Sequence, residues 1–188
     1  MSKQTEIVIA GFGGQGVLFA GQVLAYAALD SGKEVTWIPS YGPEMRGGTA
    51  NCTVVISEEE IGSPLVRNPR AAIVLNLPSL DKYEPQVASG GVLVANASLI
   101  NRAPQRTDLV SVLIPANEIA EQIGDKRLLN MVTLGAMLAL LPVLPLQAIK
   151  KSLEAHLPER HRRLLPVNYD ALDRGAEFAL SQARQPVV

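Results

Sequence analysis

The stretch Thr5–Gly21, TEIVIAGFGGQGVLFAG, constrains the fold more than any other part of the chain. Ile7, Val8, Ile9 and Ala10 form the short apolar run that a strand covered on both faces requires. Glycines follow at Gly11, Gly13, Gly14 and Gly16. Without a Cβ, glycine reaches positive φ and lets backbone approach a neighbour closely. Beyond them, Val17, Leu18, Ala20, Val23, Leu24 and Ala27 fit one helical face. The stretch therefore predicts a strand, a tight turn and a helix. Such a helix start aims free N–H groups and a positive dipole end at the turn, a natural seat for a phosphate or carboxylate.

Gly11, Gly13 and Gly16 match the G-x-G-x-x-G spacing of dinucleotide sites. Such a site also wants an acid at the end of the next strand, to bind ribose. That strand, Glu34–Ile38, runs instead into Pro39, Ser40 and Tyr41. Asp30 precedes the strand and Glu34 begins it, so neither is well placed. The missing acid thus argues against classical NAD or FAD binding, and close helix–strand packing accounts for the glycines equally well.

Further along, the first helix is predicted to end at Ser31-Gly32, with Gly32 as a left-handed cap. A polar loop follows the second strand: PSYGPEMRGGTAN, Pro39–Asn51, with prolines, glycines, an aromatic, an acid and an arginine. A third strand, Thr49–Ser57, alternates, with Ala50, Cys52, Val54 and Ile56 on one side. Three more strands are predicted, at Ala71–Leu75, Val92–Ala95 and Asp108–Ile114. Asn76 or Ser79 caps a helix reaching about Ala88, and Pro115–Gln122 forms a short helix that Gly124 stops. Helices also span Arg127–Leu141, Pro145–Leu157 and Val167–Gln182. Strands alternating with helices predict an α/β fold: a three-layer, Rossmann-like, mostly parallel sheet with helices on both faces. One domain covers residues 1–182, and 183–188 form a frayed tail.

The glycine turn and the Pro39–Asn51 loop both follow carboxyl ends of strands, the edge where open α/β sheets bind ligands and partners. Asn76 and Asn96 follow later strands and join that edge. The candidate ligand- or partner-binding residues are therefore Gly11, Gly13, Gly14, Gln15, Gly16, Tyr41, Gly42, Pro43, Glu44, Met45, Arg46, Gly47, Gly48, Asn76 and Asn96. No catalytic residue stands out. His156 and His161 lie far along the chain and read as surface residues. Glu44 could act as a base and Arg46 as an anion clamp. An interface role suits both better, because arginine and tyrosine are frequent interface anchors.

Composition excludes several classes. A net charge of −1 with no basic block argues against a nucleic-acid partner. Cys52 is the only cysteine, so neither an internal disulfide nor a four-thiolate iron–sulfur cluster can form from this chain. Leu128–Ile149 carries no charge, but Pro142 and Pro145 break it before it could span a bilayer. The amino terminus shows no signal-peptide pattern, so cytoplasm is the expected location.

GFGGQGV at Gly11–Val17, YGPEMRGG at Tyr41–Gly48, the strand to Ser57, and NLPSLDKY at Asn76–Tyr83 together resemble one family. It is the gamma subunit of 2-oxoacid:ferredoxin oxidoreductases, the pyruvate/ketoisovalerate oxidoreductase catalytic-domain family. The resemblance implies a part of a larger enzyme that decarboxylates a 2-oxoacid and passes the acyl group to coenzyme A. Electrons would travel through iron–sulfur clusters to ferredoxin or flavodoxin. It further implies that thiamine diphosphate, Mg2+ and the clusters belong to alpha and beta subunits, with a delta subunit as a further candidate partner, and that this chain carries no cofactor. The one Gly-Asp, Gly124-Asp125, lacks the second glycine of the thiamine motif. The chain would dock, shape the active site and help to hold coenzyme A. Two alternatives stay open: the small subunit of an indolepyruvate oxidoreductase, and a free-standing nucleotide-binding α/β protein.

Overall fold

The structure, a computed structural model, describes residues 4–41 and 49–183. Its elements run β1 (Gln4–Phe12), α1 (Val17–Asp30), β2 (Glu34–Tyr41), β3 (Thr49–Ser57), β4 (Ala71–Val74), α2 (Leu77–Tyr83), β5 (Val92–Asn96), β6 (Val110–Ile114), α3 (Ala116–Ile123), α4 (Leu129–Leu140), α5 (Leu146–His156) and α6 (Leu165–Ala183). Three-residue 3-10 turns follow α2 at Glu84–Gln86 and precede α4 at Lys126–Leu128, and a longer one spans Glu159–Leu164. The α/β, mostly parallel architecture expected from the alternation is present. Of the predicted tail, Ala183 still belongs to α6 and 184–188 lie outside the described residues.

The six strands form one sheet in the order β2-β3-β1-β4-β5-β6. β1, β4, β5 and β6 run parallel to one another, while β3 is antiparallel to both of its neighbours. A short connection accounts for the antiparallel pairing of β3 with β2. Tyr41 and Thr49 are too close in sequence for a parallel crossover, so β3 must fold back along β2 as a hairpin. β2 is longer than the predicted Glu34–Ile38, because Pro39 is accommodated opposite Cys52. It can be, since β2 is an edge strand and tolerates a residue with no N–H to donate.

Alternation splits the core into two layers. Ile7 and Ile9 of β1, with Cys52, Val54 and Ile56 of β3, face α1, α4, α5 and α6. Val8 and Ala10 face α2, packed with Leu80 and Tyr83. α4 is buried from Leu129 to Leu138, the pattern of a helix enclosed on all sides, and no described helix is long and apolar enough to cross a membrane. At the crossing of α4 and α6, a Cβ on Gly135 would stand 2.1 Å from the Leu172 carbonyl oxygen. One on Gly175 would stand 1.9 Å from that of Val132. Gly32 and Gly124 take the left-handed conformation as helix stops, as the sequence predicts.

Candidate functional site

β1 ends at Phe12 and the chain turns through Gly13–Gly16 into α1. Gln15 closes the turn on itself. Its Oε1 accepts from the Phe12 N–H at 2.6 Å, and its own N–H donates to the Phe12 carbonyl at 3.2 Å. Gly14 and Gly16 have φ of 93° and 75°, a region that favours glycine. Gly11 is required by contact: a Cβ there would lie 2.5 Å from Gln15 Oε1 and 2.9 Å from Leu75 Cβ. The first turn of α1 has no side-chain cap and no acid, so its dipole end is unopposed within the helix.

A residue absent from the sequence-based set also fixes this turn. Asn130, at the start of α4 and 5% exposed, donates its Nδ2 to the Gly16 carbonyl at 3.1 Å. Its signal was a polar side chain inside an otherwise apolar run, which without the fold reads only as a reason to doubt a membrane span.

Three other predicted residues, Asn76, Asn96 and Tyr41, lie at strand ends along the same sheet. Asn76 follows β4, beside the end of β1, where the Leu75 N–H donates to the Ala10 carbonyl. It is 1% exposed, and its Oδ1 caps α2 by accepting from the Ser79 N–H at 2.9 Å. Its Nδ2 has no hydrogen-bond partner. Asn96, at the end of β5, is fully buried and committed within the chain. It donates to Asn117 Oδ1 at 3.0 Å and accepts from the N–H groups of Ser98 and Ala116. Tyr41 ends β2 opposite Ala50, and Ala50 in turn pairs with Gly11. The hairpin loop therefore springs from the strand beside the glycine turn, although β2 and β1 are not themselves neighbours. Gly42, Pro43, Glu44, Met45, Arg46, Gly47 and Gly48 lie outside the described residues.

Catalytic equipment is sparse among the described residues. Burial pushes the Cys52 thiol up to about 12, which removes it as a nucleophile or metal ligand near neutral pH. No group of three or more metal-ligating side chains occurs among the described residues. His156 is more than bare surface, since it pairs with Asp30 at 3.0 Å and stacks on Tyr26. The arrangement offers N–H donors, an amide and close backbone approach, a set that suits holding an anionic group.

Residues 6–178 match the pyruvate ferredoxin/flavodoxin oxidoreductase family. The ketoisovalerate oxidoreductase subunit VorA of Methanothermobacter thermautotrophicus is 40% identical over 177 residues, 94% of this chain. The chain spans only 36% of that relative's length. The 2-oxoglutarate synthase subunit KorC of Methanocaldococcus jannaschii is 36% identical over 163 residues, covering 85% of this chain and 87% of that one. Among solved structures, the gamma subunit of a keto/oxoacid ferredoxin oxidoreductase from Geobacter sulfurreducens superposes with a TM-score of 0.83 at 30% identity. It covers 95% of this chain and 97% of that one.

Proposed function

Since the chain belongs to the pyruvate ferredoxin/flavodoxin oxidoreductase family, we propose that it is the gamma-type subunit of a 2-oxoacid:acceptor oxidoreductase complex. The complex would decarboxylate a 2-oxoacid oxidatively and form an acyl-coenzyme A, with ferredoxin or flavodoxin taking the electrons. Thiamine diphosphate, Mg2+ and the iron–sulfur clusters sit in the alpha and beta subunits on this reading, and the assembly works in the cytoplasm. The single, buried cysteine of this chain supports assigning the clusters elsewhere.

The observation that carries the role of this chain is the sheet edge itself. An uncapped helix start, a glycine turn and the free Nδ2 of Asn76 converge on one edge, next to the roots of the loop bearing Arg46. That set suits the phosphates of coenzyme A, with Gly13–Gly16 as the backbone cradle and Arg46 at a partner interface or as an anion clamp. Asn96, committed internally, shapes the edge and leaves contact to its neighbours.

Co-purification from the native organism tests the assignment, with thiamine- and cluster-bearing partner subunits expected in stoichiometric amounts. Calorimetric titration of coenzyme A into the assembled complex tests the edge. Gly13→Val, which adds a Cβ in the turn, should weaken binding about tenfold or more while the subunit stays folded. Unchanged affinity in a folded mutant would leave the turn a purely structural role. For Arg46→Ala, a partner contact predicts weakened assembly by about 2 kcal/mol. A clamp predicts normal assembly with a raised KM for the 2-oxoacid or coenzyme A. Normal assembly together with normal turnover removes both roles.

A further inference from the structure

A second cleft, of about 620 Å³, lies among the helices and is bounded by α1, the start of α4, α5 and α6. It meets the sheet-edge site at Gly14, Gly16 and Asn130, beside the start of α1. Phe19, Val23, Leu128 and Leu153 form its apolar wall. Ten residues along α1 from Gly16, about 15 Å away, Tyr26 and His156 stack with ring centroids 4.3 Å apart and planes 10° from parallel. Both rings remain partly exposed, so the pair presents a flat face.

Some polar groups of the cleft are committed. Arg127 is held by Asp125 at 2.6 Å, Asn130 Nδ2 donates to the Gly16 carbonyl, and Asn168 Nδ2 donates to the Leu164 carbonyl at 2.7 Å. Others are not. Ser152 is 1% exposed, and its hydroxyl has no hydrogen-bond partner. Arg160 donates its Nε to His161 Nε2 at 3.2 Å and meets no carboxylate among the described residues. The first turn of α1 has no side-chain cap. All of these can donate, and two of them, the guanidinium and the helix start, can only donate. Ser152 and His156 are one turn apart on α5, hence on one face, and Arg160 follows closely.

We propose that this cleft is a second binding site, for a small organic anion carrying a flat ring. Ser152 and Arg160 contact its anionic group, and the Tyr26–His156 pair is the surface on which its ring stacks. The volume suits a ligand of nucleotide size. A donor-rich cleft with an apolar wall selects an acceptor-rich, partly apolar guest, and the orphaned Ser152 hydroxyl gains a partner when that guest binds. The shared chemistry covers a nucleoside monophosphate and an aryl carboxylate.

Calorimetric titration of the full chain with adenosine monophosphate, phenylacetate and inorganic phosphate tests the site. At least one ring-bearing anion should bind with a Kd of about 1 mM or tighter. Inorganic phosphate should bind about tenfold more weakly, and whichever ring-bearing anion prevails identifies the source of the chemistry. Arg160→Ala and Ser152→Ala should each weaken binding about tenfold at unchanged melting temperature. Three results overturn the proposal: no saturable binding of either ring-bearing anion, phosphate binding as tightly as both, or Arg160→Ala binding like the parent. Nucleotide binding lost in Gly13→Val and kept in Arg160→Ala would move the ligand to the sheet edge and likewise overturn it.

Discussion

Gly135 and Gly175 show how little room single residues have in the α4–α6 crossing. Each would drive a Cβ into a backbone carbonyl of the other helix, and a backbone cannot rotate away as a side chain can. Gly135→Ala and Gly175→Ala should therefore cost about 3 kcal/mol, the upper end of overpacking penalties, measured by urea unfolding. Cys52 makes a different prediction at the same scale. Its folded-state pKa lies above the ordinary value, because burial disfavours the thiolate. The unfolded chain thus loses this proton first as pH rises. Stability contributed by the thiol is complete below about pH 9 and falls as pH climbs toward about 12. A disulfide reagent at pH 8 should leave the native thiol unmodified and label it in denaturant, and rapid native labelling would contradict the burial. Neither glycine could be singled out in the sequence, since a helix crossing leaves no local pattern. The side assigned to Cys52 was legible, because Ala50, Cys52, Val54 and Ile56 alternate and the structure buries all four.

At the scale of elements, the segment after β5 is fastened to the 3-10 turn that follows α2 by one buried carboxylate. Glu84 is 3% exposed and accepts from the backbone N–H groups of Gln105 and Arg106, while Arg102 bridges it at 3.1 Å and reaches Asp81 at 2.6 Å. Glu84→Ala would strand two N–H groups and leave Arg102 to Asp81 alone, so a loss of about 2 kcal/mol is expected. Hydrogen exchange should quicken at Gln105 and Arg106 and stay slow in β1. Nothing in the sequence marks Glu84, because its partners arrive 18, 21 and 22 residues later through folding. The elements themselves were largely readable from hydrophobic period and capping residues. The Asn76 cap, the Gly124 stop and all six strands appear where those signals place them, within a few residues. Strand order was less legible, since β3 enters between β2 and β1 and periodicity is silent about neighbours.

For the whole molecule, the proposed function sets a clear expectation. The isolated chain should bind neither thiamine diphosphate nor iron and should show no oxidoreductase activity, both appearing only on mixing with its partners. Stoichiometric iron or thiamine in the purified single chain would refute the assignment of those groups to other subunits. The glycine-turn part of the candidate site was legible because a strand, glycines and a helix in sequence leave few geometries open. The cleft beside α1 was not, because α1 supplies one wall and α4, α5 and α6, about a hundred residues further along, supply the rest.

The pinned roots of the β2–β3 hairpin bear on how such chains diversify. Tyr41 is held by a ladder whose register is set along its whole length, from Glu34 opposite Ser57 up to Tyr41 opposite Ala50, and Thr49 is held opposite Phe12 of β1. Residues inserted, deleted or exchanged between them leave that register untouched, and each doubling of loop length costs only about 0.6 kcal/mol. The connection can therefore change in length and chemistry while the scaffold stays under separate selection, so novelty has a place to accumulate here at little cost to the fold.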